Sequence, residues 1–424
     1  MSEINSLDQQ YVWHPFTQMS KANKHIPIVK AKDCTLYTED GRKIIDAVSS
    51  WWVNAHGHSN TYIADKVHEQ MCQLEHVIFA GFSHQPAAQL GKRLVSHLPE
   101  GQQKIFFSDN GSTSVEVAIK MAIQFFHNKG EKRDTIIAFN KGYHGDTFGA
   151  MSAGGSSGFF NAFDRFQFPI HQLPNPAEQP QDCVAELKKI LQHKKPVAFI
   201  SEPLVMGSGG MLMYPPELLN ELIMLCKAHG VLCIADEVMT GFFRTGTWFA
   251  SDQVSTKPDL MCLSKCLTGG FIPMGITTCT QEVFDAFLSS DHSNTFFHGH
   301  SYTGNPTGCA AALASLDLFE KEETQTNIQA ICESHQKFIE QIKRLYPQVH
   351  TRQRGCILAL SFGNESDYFA AMRDQLHDFF IERHILMRPL GNVIYILPPF
   401  CITQTELQTI YNAILEACVK FAAK

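Results

Sequence analysis

Two short apolar runs near the middle of the chain constrain its fold more than any other feature of the sequence. Residues 231–235 and Leu260–Leu263 are almost unbroken in apolar character and are too short for typical helices. Such runs predict strands that are buried on both faces, as in a parallel sheet. Asp236 follows the first run directly, and Lys265 follows the second run after one serine.

Asp236 and Lys265 are predicted to face one crevice, because ligands gather beyond the carboxyl ends of parallel strands. A buried carboxylate or ammonium is costly unless it is paired. One explanation is a structural salt bridge at the edge of the sheet. The other is a Schiff-base lysine with an aspartate that holds a pyridinium nitrogen, the arrangement that pyridoxal phosphate requires. The two runs alone do not decide between these explanations.

Strand and helix patterns alternate from about residue 104 to residue 264, which predicts an α/β domain with a doubly wound, mostly parallel sheet. After about residue 320 the pattern changes to that of a smaller α+β lobe, and 424 residues suffice for two lobes. We predict an N-terminal segment at 1–50 that packs on the small domain and the active site, a large domain at 51–319 and a small domain at 320–424. The predicted elements are a hairpin at 34–46, strands at 104–107, 135–139, 196–200, 356–362 and 393–397, and helices at 113–126, 182–192, 218–229, 308–319 and 367–383.

The composition excludes several classes of partner. The formal net charge of −7 argues against nucleic acid or an anionic membrane surface. No apolar run has the length of a membrane span and the first residues lack signal-peptide character, so we expect a cytoplasmic protein. Several of the 13 cysteines lie inside apolar runs, as Cys226, Cys233 and Cys262 do. Buried free thiols explain them better than disulfides or a zinc site.

Gly111, Ser112 and Thr113 lie at the predicted start of a helix, directly after a strand. Free amide groups and the helix dipole favour an anion at such a position. A serine or threonine that only caps the helix is the commoner explanation. No Gly-Lys-Ser/Thr sequence follows, so this is not a nucleotide-binding P-loop. The sequence by itself leaves both the cap and a phosphate site open.

Three further positions are candidates for a pocket, although each also has an ordinary structural explanation. Tyr143 lies between two glycines at the end of a strand, where its ring can lie flat on a planar ligand. Trp51 and Trp52 stand in a loop between turn signals, where a pocket wall competes with simple core packing. Arg388 precedes a proline in the second lobe and is either a carboxylate clamp or a surface arginine.

Two His-Gly-His pairs, at 56–58 and 298–300, raise the question of a metal site. No carboxylate or cysteine flanks either pair at ligand spacing, and the central glycine suggests a backbone requirement. We therefore predict that the protein binds no metal.

Four longer motifs carry more specific information. They are Ser-Asp-Asn-Gly-Ser-Thr from residue 108, Gly-Tyr-His-Gly-Asp from residue 142, Ala-Asp-Glu-Val-Met-Thr-Gly-Phe-Phe-Arg from residue 235 and Ser-Lys-Cys-Leu-Thr-Gly-Gly from residue 264. With these motifs, the chain resembles the class III, pyridoxal-phosphate-dependent aminotransferases of fold type I from about residue 13 to its last residues. The resemblance implies a transaminase.

The resemblance also implies how the cofactor, pyridoxal phosphate, would be held. Lys265 would form the Schiff base and later shuttle the substrate proton, and Asp236 would keep the pyridine nitrogen protonated. Tyr143 would stack on the ring and take part in catalysis, and Val238 would cover the other face. The phosphate ligands would be Gly111, Ser112, Thr113 and the partner subunit's Ser301. The shared phosphate site would require a homodimer.

A substrate pocket follows from the same resemblance. Arg388 would bind the carboxylate of a keto acid, with Tyr395 nearby. The other implied pocket residues are Phe16, Trp51, Trp52, Tyr143, Asp146, Arg244 and Gly299.

Within the class, additional motifs resemble members of biotin biosynthesis that move an amino group from S-adenosyl-L-methionine to 8-amino-7-oxononanoate, giving 7,8-diaminononanoate. These motifs are Trp-His-Pro-Phe from residue 13, Ser-Ser-Trp-Trp from residue 49, His-Gly-His-Ser-Tyr-Thr-Gly-Asn-Pro from residue 298 and Arg-Pro-Leu-Gly-Asn-Val-Ile-Tyr from residue 388. Two positions depart from the pattern. Phe16 stands where members that use adenosylmethionine often have tyrosine, and phenylalanine at this position resembles the members that use lysine as the amino donor. Phe243 stands where the class commonly has glycine.

Two rival functions belong to other groups. Another ω-aminotransferase, for ornithine, 4-aminobutyrate or a diamine, would share Lys265 and Asp236 but would have little use for the tryptophan pair. A non-catalytic protein on the same fold would have no reason to keep a lysine in an apolar cleft.

Overall fold

The computed structural model describes residues 3–20, 25–155, 161–363 and 372–422. Its centre is a seven-stranded sheet in which six strands are parallel and one is antiparallel to both of its neighbours. This arrangement confirms the predicted α/β fold with a mostly parallel sheet. In spatial order the strands are Gln102–Ser108, Gly275–Thr280 (the antiparallel strand), Leu260–Leu263, Leu232–Asp236, Ala198–Ser201, Ile136–Phe139 and Ile170–Leu173.

The central parallel strands are apolar except at their carboxyl ends, because the sheet is covered on both faces. In the strand Leu232–Asp236, Cys233 and Ala235 belong to one hydrophobic cluster, whereas Leu232 and Ile234 belong to a second. Successive side chains of a strand point to opposite faces of the sheet, so each cluster covers one face. A continuous apolar run therefore marks these strands, instead of the alternation seen in half-buried strands.

The helices begin and end close to the positions predicted from their apolar periodicity. The helix predicted at 113–126 is longer, Gly111–Asn128, because Asn110 caps it. The last predicted helix is observed as Met372–Glu382, and residues 367–371 of that prediction lie outside the described residues. The described α-helices of five or more residues are Glu3–Tyr11, Thr61–Gln73, Gln85–His97, Gly111–Asn128, Phe148–Ala153, Pro180–His193, Pro216–Ala228, Gln281–Asp285, Pro306–Phe319, Glu322–Leu345, Met372–Glu382 and Gln404–Phe421.

A four-stranded sheet contains strands from both the N-terminal segment and the C-terminal part of the chain. The predicted hairpin is confirmed as the antiparallel strands Thr35–Thr38 and Lys43–Asp46, and Ile385–Leu386 pairs in parallel with the second of them. The N-terminal segment thus shares a sheet with the C-terminal part, while the domain boundaries near residues 50 and 319 stay predictions. The remaining strands are Ile28–Lys32 of the same sheet, His350–Arg354, Ile357–Ser361 and Val393–Ile396 of a second sheet, and the pair Val205–Met206 and Leu212–Met213.

The parallel strands deliver most of the candidate residues to one edge of the central sheet, because their carboxyl ends all point the same way. The segments that directly follow these ends are 109–113, 141–146, 202, 237–238 and 264–265. The sheet therefore brings together motifs that lie far apart in the sequence.

All 13 cysteines lie in the described part of the chain and none forms a disulfide there, as predicted. Across the same residues, no helix has both the length and the apolar character needed to cross a membrane.

Candidate active site

Asp236 and Lys265 occupy the same edge of the sheet, as the two apolar runs predict. Their strands are parallel neighbours, and Asp236 is in register with Cys262, three residues before Lys265. The Asp236 side chain is almost fully buried and Lys265 is half-buried. The two groups do not form the structural salt bridge that was the simpler explanation, since no ion pair links Asp236 to Lys265 among the described residues.

The amine of Lys265 is held without a hydrogen bond or an ion pair to any described residue. Its Nζ lies 4.9 Å from the ring centroid of Trp52, and its backbone has a left-handed φ of 48°. Burial lowers the pKa of Lys265, and the charges of Asp236 and Glu202 oppose this only in part. A neutral amine is a nucleophile, so this environment favours attack on a carbonyl group.

Asp236 is oriented by His144, which the sequence analysis did not select. His144 Nδ1 donates a hydrogen bond of 2.7 Å to Asp236 Oδ2, and the backbone N–H of Val238 donates to Oδ1 at 3.1 Å. Burial alone would lower the pKa of His144, but the hydrogen bond and the charge of Asp236 raise it above its ordinary value. The Asp236 carboxylate is therefore oriented in an apolar site, with one oxygen bound to His144 and the other to the Val238 amide.

Glu202 is a second buried carboxylate that the sequence analysis did not select. It accepts hydrogen bonds from the backbone N–H groups of Tyr143 at 3.1 Å and Gly207 at 3.0 Å. Burial raises the pKa of Glu202 to about 7, with a further contribution from the charge of Asp236. Glu202 fixes the backbone beside His144, so it supports the loop that carries Tyr143. The Glu-Pro pair at the end of a buried strand was the signal available for it in the sequence.

The start of the helix Gly111–Asn128 combines a cap with free amide groups. The side-chain oxygen of Asn110 accepts a hydrogen bond of 2.9 Å from the backbone N–H of Thr113. The backbone N–H of Asn110 donates in return to Thr113 Oγ1 at 3.1 Å. The cap uses the Thr113 amide in this structure, whereas the predicted role of Thr113 at a phosphate stays a prediction. The amides of Gly111 and Ser112 have no acceptor among the described residues and can bind an anion.

The loop that carries Tyr143 packs directly on the start of this helix. Ser112 Oγ accepts a hydrogen bond of 3.0 Å from the Asp146 amide, which leaves its proton free to be donated. Gly145 has a φ of 126°, and an added Cβ would lie 2.0 Å from Ser112 Oγ, so only glycine fits. The Tyr143 hydroxyl donates to Asp146 Oδ1 at 3.0 Å. Burial and Asp146 raise the pKa of Tyr143, so it stays a neutral donor.

Val238 packs against Gly111, the first residue of the helix Gly111–Asn128. A Cβ added to Gly111 would lie 2.7 Å from a methyl group of Val238. The two residues are therefore in direct van der Waals contact, and Val238 is half-buried beside Asp236. The placement agrees with the expectation that Val238 covers one face of a ring, which stays a prediction.

An aromatic wall, formed by Phe16 and the adjacent Trp51 and Trp52, contacts Arg388 through Trp51 and Lys265 through Trp52. Arg388 stacks its guanidinium on Trp51, with Cζ 4.0 Å from the ring centroid, and Phe16 packs edge-on against the same ring at 5.2 Å. On the other side, Trp52 faces the Lys265 amine and donates a hydrogen bond of 3.1 Å to the Tyr395 hydroxyl. The structure thus brings together five of the predicted pocket residues, namely Phe16, Trp51, Trp52, Arg388 and Tyr395.

Arg244 differs from the expectation that it lines the cleft. Its side chain is fully buried, and Nη1 donates a hydrogen bond of 2.7 Å to the backbone carbonyl of Pro398. The guanidinium also lies 4.7 Å from the Phe400 ring and 3.5 Å from the Trp52 carbonyl. These contacts hold the interior together beneath Trp52, because a buried guanidinium needs acceptors for its donors. Arg244 acts on the pocket through the backbone that it supports.

Gly299 and Ser301 lie in an exposed loop and not in the cavity built by the other candidates. Within the described ranges, no hydrogen bond joins either residue to the site at the sheet edge. A single chain therefore leaves the predicted roles of Gly299 and Ser301 untested.

The His-Gly-His pairs serve as ordinary hydrogen-bonding residues in the structure. His56 Nε2 contacts Ser315 Oγ at 3.0 Å, His58 contacts Asp46 at 2.9 Å and His298 contacts Lys120 at 3.0 Å. Burial lowers the pKa of His56 to about 3, so it is neutral. Neither pair brings together three ligand atoms.

One group in the described part of the chain does bring three potential metal ligands together. Oxygen and nitrogen atoms of Asp8, His14 and His25 lie within 4.8 Å of one another. Both histidines hydrogen bond to the Asp8 carboxylate, at 2.9 Å and 2.8 Å. These hydrogen bonds explain the cluster without a metal, because they hold together the segment that precedes Phe16. The prediction that no metal is bound stays a prediction.

Comparisons with known proteins agree with this site. The family model for class III aminotransferases matches residues 16–418. A protein from Synechococcus elongatus named adenosylmethionine-8-amino-7-oxononanoate aminotransferase is 45% identical, over 96% of this chain and 98% of its own length.

Solved structures show the same similarity. The aminotransferase of the same name from Methanocaldococcus jannaschii has a TM-score of 0.90 and 36% identity, covering 97% of this chain and 98% of its own. An amine transaminase from an uncultivated Pseudomonas species, solved in its pyridoxal-phosphate-bound form, has a TM-score of 0.90 and 29% identity, covering 97% and 99%.

Proposed function

The chain belongs to the class III aminotransferase family, and we propose that it uses pyridoxal phosphate to transfer an amino group from S-adenosyl-L-methionine to 8-amino-7-oxononanoate. The product is 7,8-diaminononanoate, an intermediate of biotin biosynthesis. The observation that carries the proposal is the aromatic wall that connects the Lys265 amine to the Arg388 guanidinium. A substrate with an amine or ketone at one end and a carboxylate at the other matches these two ends.

The described residues fit pyridoxal phosphate at three points. The free amides of Gly111 and Ser112 suit a phosphate group at a helix start. The Lys265 amine has no hydrogen-bond or ion-pair partner among the described residues and so is available to a carbonyl group. The buried carboxylate of Asp236 suits a protonated ring nitrogen, because a buried charge needs a partner of opposite sign.

When bound, pyridoxal phosphate accepts electrons from the substrate carbon that carries the amino group, which makes the proton on that carbon acidic. Lys265 is placed to take this proton and return it, because burial lowers its pKa. Asp236, oriented by His144, holds a proton on a facing ring nitrogen. Arg388 binds the carboxylate of the keto acid, and Trp51 keeps the guanidinium in place.

The amino donor is the least constrained part of the proposal. Trp51 and Trp52 offer aromatic faces that attract a sulfonium cation, which favours S-adenosyl-L-methionine. Lysine is the alternative donor, because its ammonium can use the same faces and Phe16 occurs in lysine-using members. Ornithine, 4-aminobutyrate and diamines are donors of the wider family.

A panel of half-reactions identifies the donor. We expect S-adenosyl-L-methionine to shift the visible cofactor band of the wild-type enzyme, and lysine, ornithine and 4-aminobutyrate to leave it unchanged. Trp52→Ala should weaken the adenosylmethionine half-reaction by roughly 2- to 30-fold, the size of one cation–π contact. The keto-acid half-reaction of the same variant is the internal control and should change less. A wild-type band that responds to lysine alone would overturn the proposed donor.

We also propose a homodimer in which the partner subunit's Ser301 completes the phosphate site, in a cytoplasmic enzyme. The loop that contains this serine carries large exposed apolar side chains, Phe297 at 75% and Tyr302 at 66% exposed, with Phe82 at 61% on another loop. Exposed apolar groups of this size indicate a protein interface.

Weakening this interface should release the cofactor together with activity. Phe297→Asp places a charge in the proposed interface, so we expect sedimentation to show monomers and dialysis to remove the cofactor. Val419→Asp, at a 65% exposed position of the last helix, is the matched control and should stay dimeric and active. A Phe297→Asp monomer with full activity would contradict the shared site.

A further inference from the structure

The two tryptophans of the wall stand on a strained turn. Ser49, Ser50, Trp51 and Trp52 have φ angles of 50°, 44°, 70° and 75°. These values lie in the left-handed region, which residues with a Cβ rarely adopt and which glycine adopts freely. Four such residues in succession, none of them glycine, persist only where surrounding contacts impose the conformation.

Asp46 supplies two of these contacts, beside the backbone hydrogen bonds from Trp52 to the Val48 carbonyl and from Val53 to the Ser49 carbonyl. Its carboxylate is fully buried directly before the turn, and Oδ1 accepts a hydrogen bond of 3.1 Å from the Val48 amide. Oδ2 accepts from the Ser50 hydroxyl at 2.7 Å and from His58 Nε2 at 2.9 Å. Ser49 adds one contact of its own, a hydrogen bond of 2.8 Å to the Leu397 carbonyl. The carboxylate thus binds the turn at its entry and at its second residue.

His58 is fixed in turn, so the carboxylate has a rigid partner. Its backbone pairs with that of Asp33 through two hydrogen bonds, at 3.1 Å and 2.8 Å. Its Nδ1 accepts from the Asn54 side-chain amide at 3.3 Å, so Nε2 carries the proton that it donates to Asp46. Burial raises the pKa of Asp46, but the hydrogen bonds from His58 and Ser50 lower it below its ordinary value. The carboxylate stays charged in the interior.

The turn carries both ends of the pocket. Trp51 supports the guanidinium of Arg388 and Trp52 faces the amine of Lys265. The strand that ends at Asp46 also pairs with Ile385–Leu386, which ends two residues before Arg388. A change of the turn would therefore disturb the carboxylate clamp and the reactive amine together.

We propose that Asp46 is a positioning residue, which acts through the Ser49–Trp52 turn to hold Trp51 against Arg388 and Trp52 against Lys265. The consequence for turnover rests on the proposed function, whereas the control of the turn conformation does not. Asp46 itself contacts neither the Lys265 amine nor the Arg388 guanidinium in the structure.

A pair of substitutions at Ser50 separates this role from general destabilisation. Ser50→Ala and Ser50→Gly both remove the hydrogen bond to Asp46, but only alanine keeps the steric penalty of a left-handed φ. We expect Ser50→Gly to stay closer to the wild type than Ser50→Ala. The readouts are near-UV circular dichroism and the quenching of fluorescence by acrylamide, in a Trp13→Phe and Trp248→Phe background that leaves Trp51 and Trp52 as the tryptophans. Equal effects, or a milder alanine variant, would overturn the proposed strain.

Substitution of Asp46 tests the carboxylate directly. With Asp46→Asn we expect KM for 8-amino-7-oxononanoate to rise roughly tenfold, the scale of one charge-assisted hydrogen bond, with a smaller loss of kcat. The near-UV circular dichroism signal of the tryptophans should decrease in the same variant. Asp40→Asn, in the turn of the same hairpin, is the control and should change neither. An Asp46→Asn enzyme with wild-type KM and dichroism would refute the proposal.

The same measurements keep failure of the proposed function separate. If the wild-type enzyme does not react with 8-amino-7-oxononanoate, the proposed substrate is wrong. The dichroism and quenching of the Ser50 pair still decide whether Asp46 holds the turn.

Discussion

Lys265→Ala is expected to abolish transamination while the protein stays folded and still binds pyridoxal phosphate. Lys265 is half-buried, its pKa is lowered, and its amine has no hydrogen-bond or ion-pair partner among the described residues, so it is the group placed to act as nucleophile. Loss of a residue that serves as nucleophile and as acid–base group should lower kcat/KM by about 10⁴-fold or more. Steady-state assays with cofactor in excess measure this loss.

Peptide mapping after borohydride reduction provides a second measurement. In the wild-type enzyme the cofactor mass should appear on the peptide that contains Lys265, and in the variant on none. Lys257→Ala is the matched control, because Lys257 is another half-buried lysine whose amine binds only backbone carbonyls. It should keep the label on Lys265 and near-normal turnover. Substantial activity in Lys265→Ala would remove this lysine from the chemistry.

The central part of the site could be predicted from the sequence because strand burial and strand direction are encoded locally. A continuous apolar run identifies a strand covered on both faces, and a parallel sheet places the ends of such strands at one edge. Lys265 and Asp236 needed no information beyond these two rules to be placed together. The helix predicted at 113–126 followed from its apolar periodicity in the same way, and the observed helix begins two residues earlier, at Gly111.

Contacts between distant segments could not be predicted from these rules. His144 binds Asp236 across 92 positions, and the motif that contains His144 gives no sign of its direction. Arg244 is a second such case, since the family resemblance implied a place in the cleft and the side chain is instead fully buried. Burial of an arginine depends on carbonyl groups such as that of Pro398, which only the folded chain supplies.

Local competition for hydrogen bonds explains why the Thr113 amide is bonded differently from the expectation. Thr113 was expected to offer its amide to a phosphate, but Asn110 takes that amide first in a reciprocal cap. A helix start has only a few free N–H groups, and a capping side chain removes one of them. The sequence showed both the cap and the anion site, and the structure divides the amides between them.

Asp236→Asn is expected to slow turnover about a hundredfold or more, because it removes the charge that holds a proton on the cofactor nitrogen. Asparagine keeps the size of the side chain and can still accept the Val238 amide. It cannot serve His144 as a charged acceptor, so the buried imidazole loses the partner that raises its pKa. Single-turnover measurements of each half-reaction should show the loss in both, since both need the same proton transfer.

Two further variants show whether the effect comes from the charge at the ring. Asp259→Asn makes the same change at the opposite end of the strand Leu232–Asp236, where Asp259 accepts the Cys233 amide at 2.7 Å. It should alter stability but not the rate of the half-reactions. His144→Ala leaves the Asp236 charge in place but unoriented, so we expect an intermediate loss of roughly tenfold, the scale of one hydrogen bond to a charged group. If Asp236→Asn were slowed only two- or threefold, the cofactor nitrogen would face some other group.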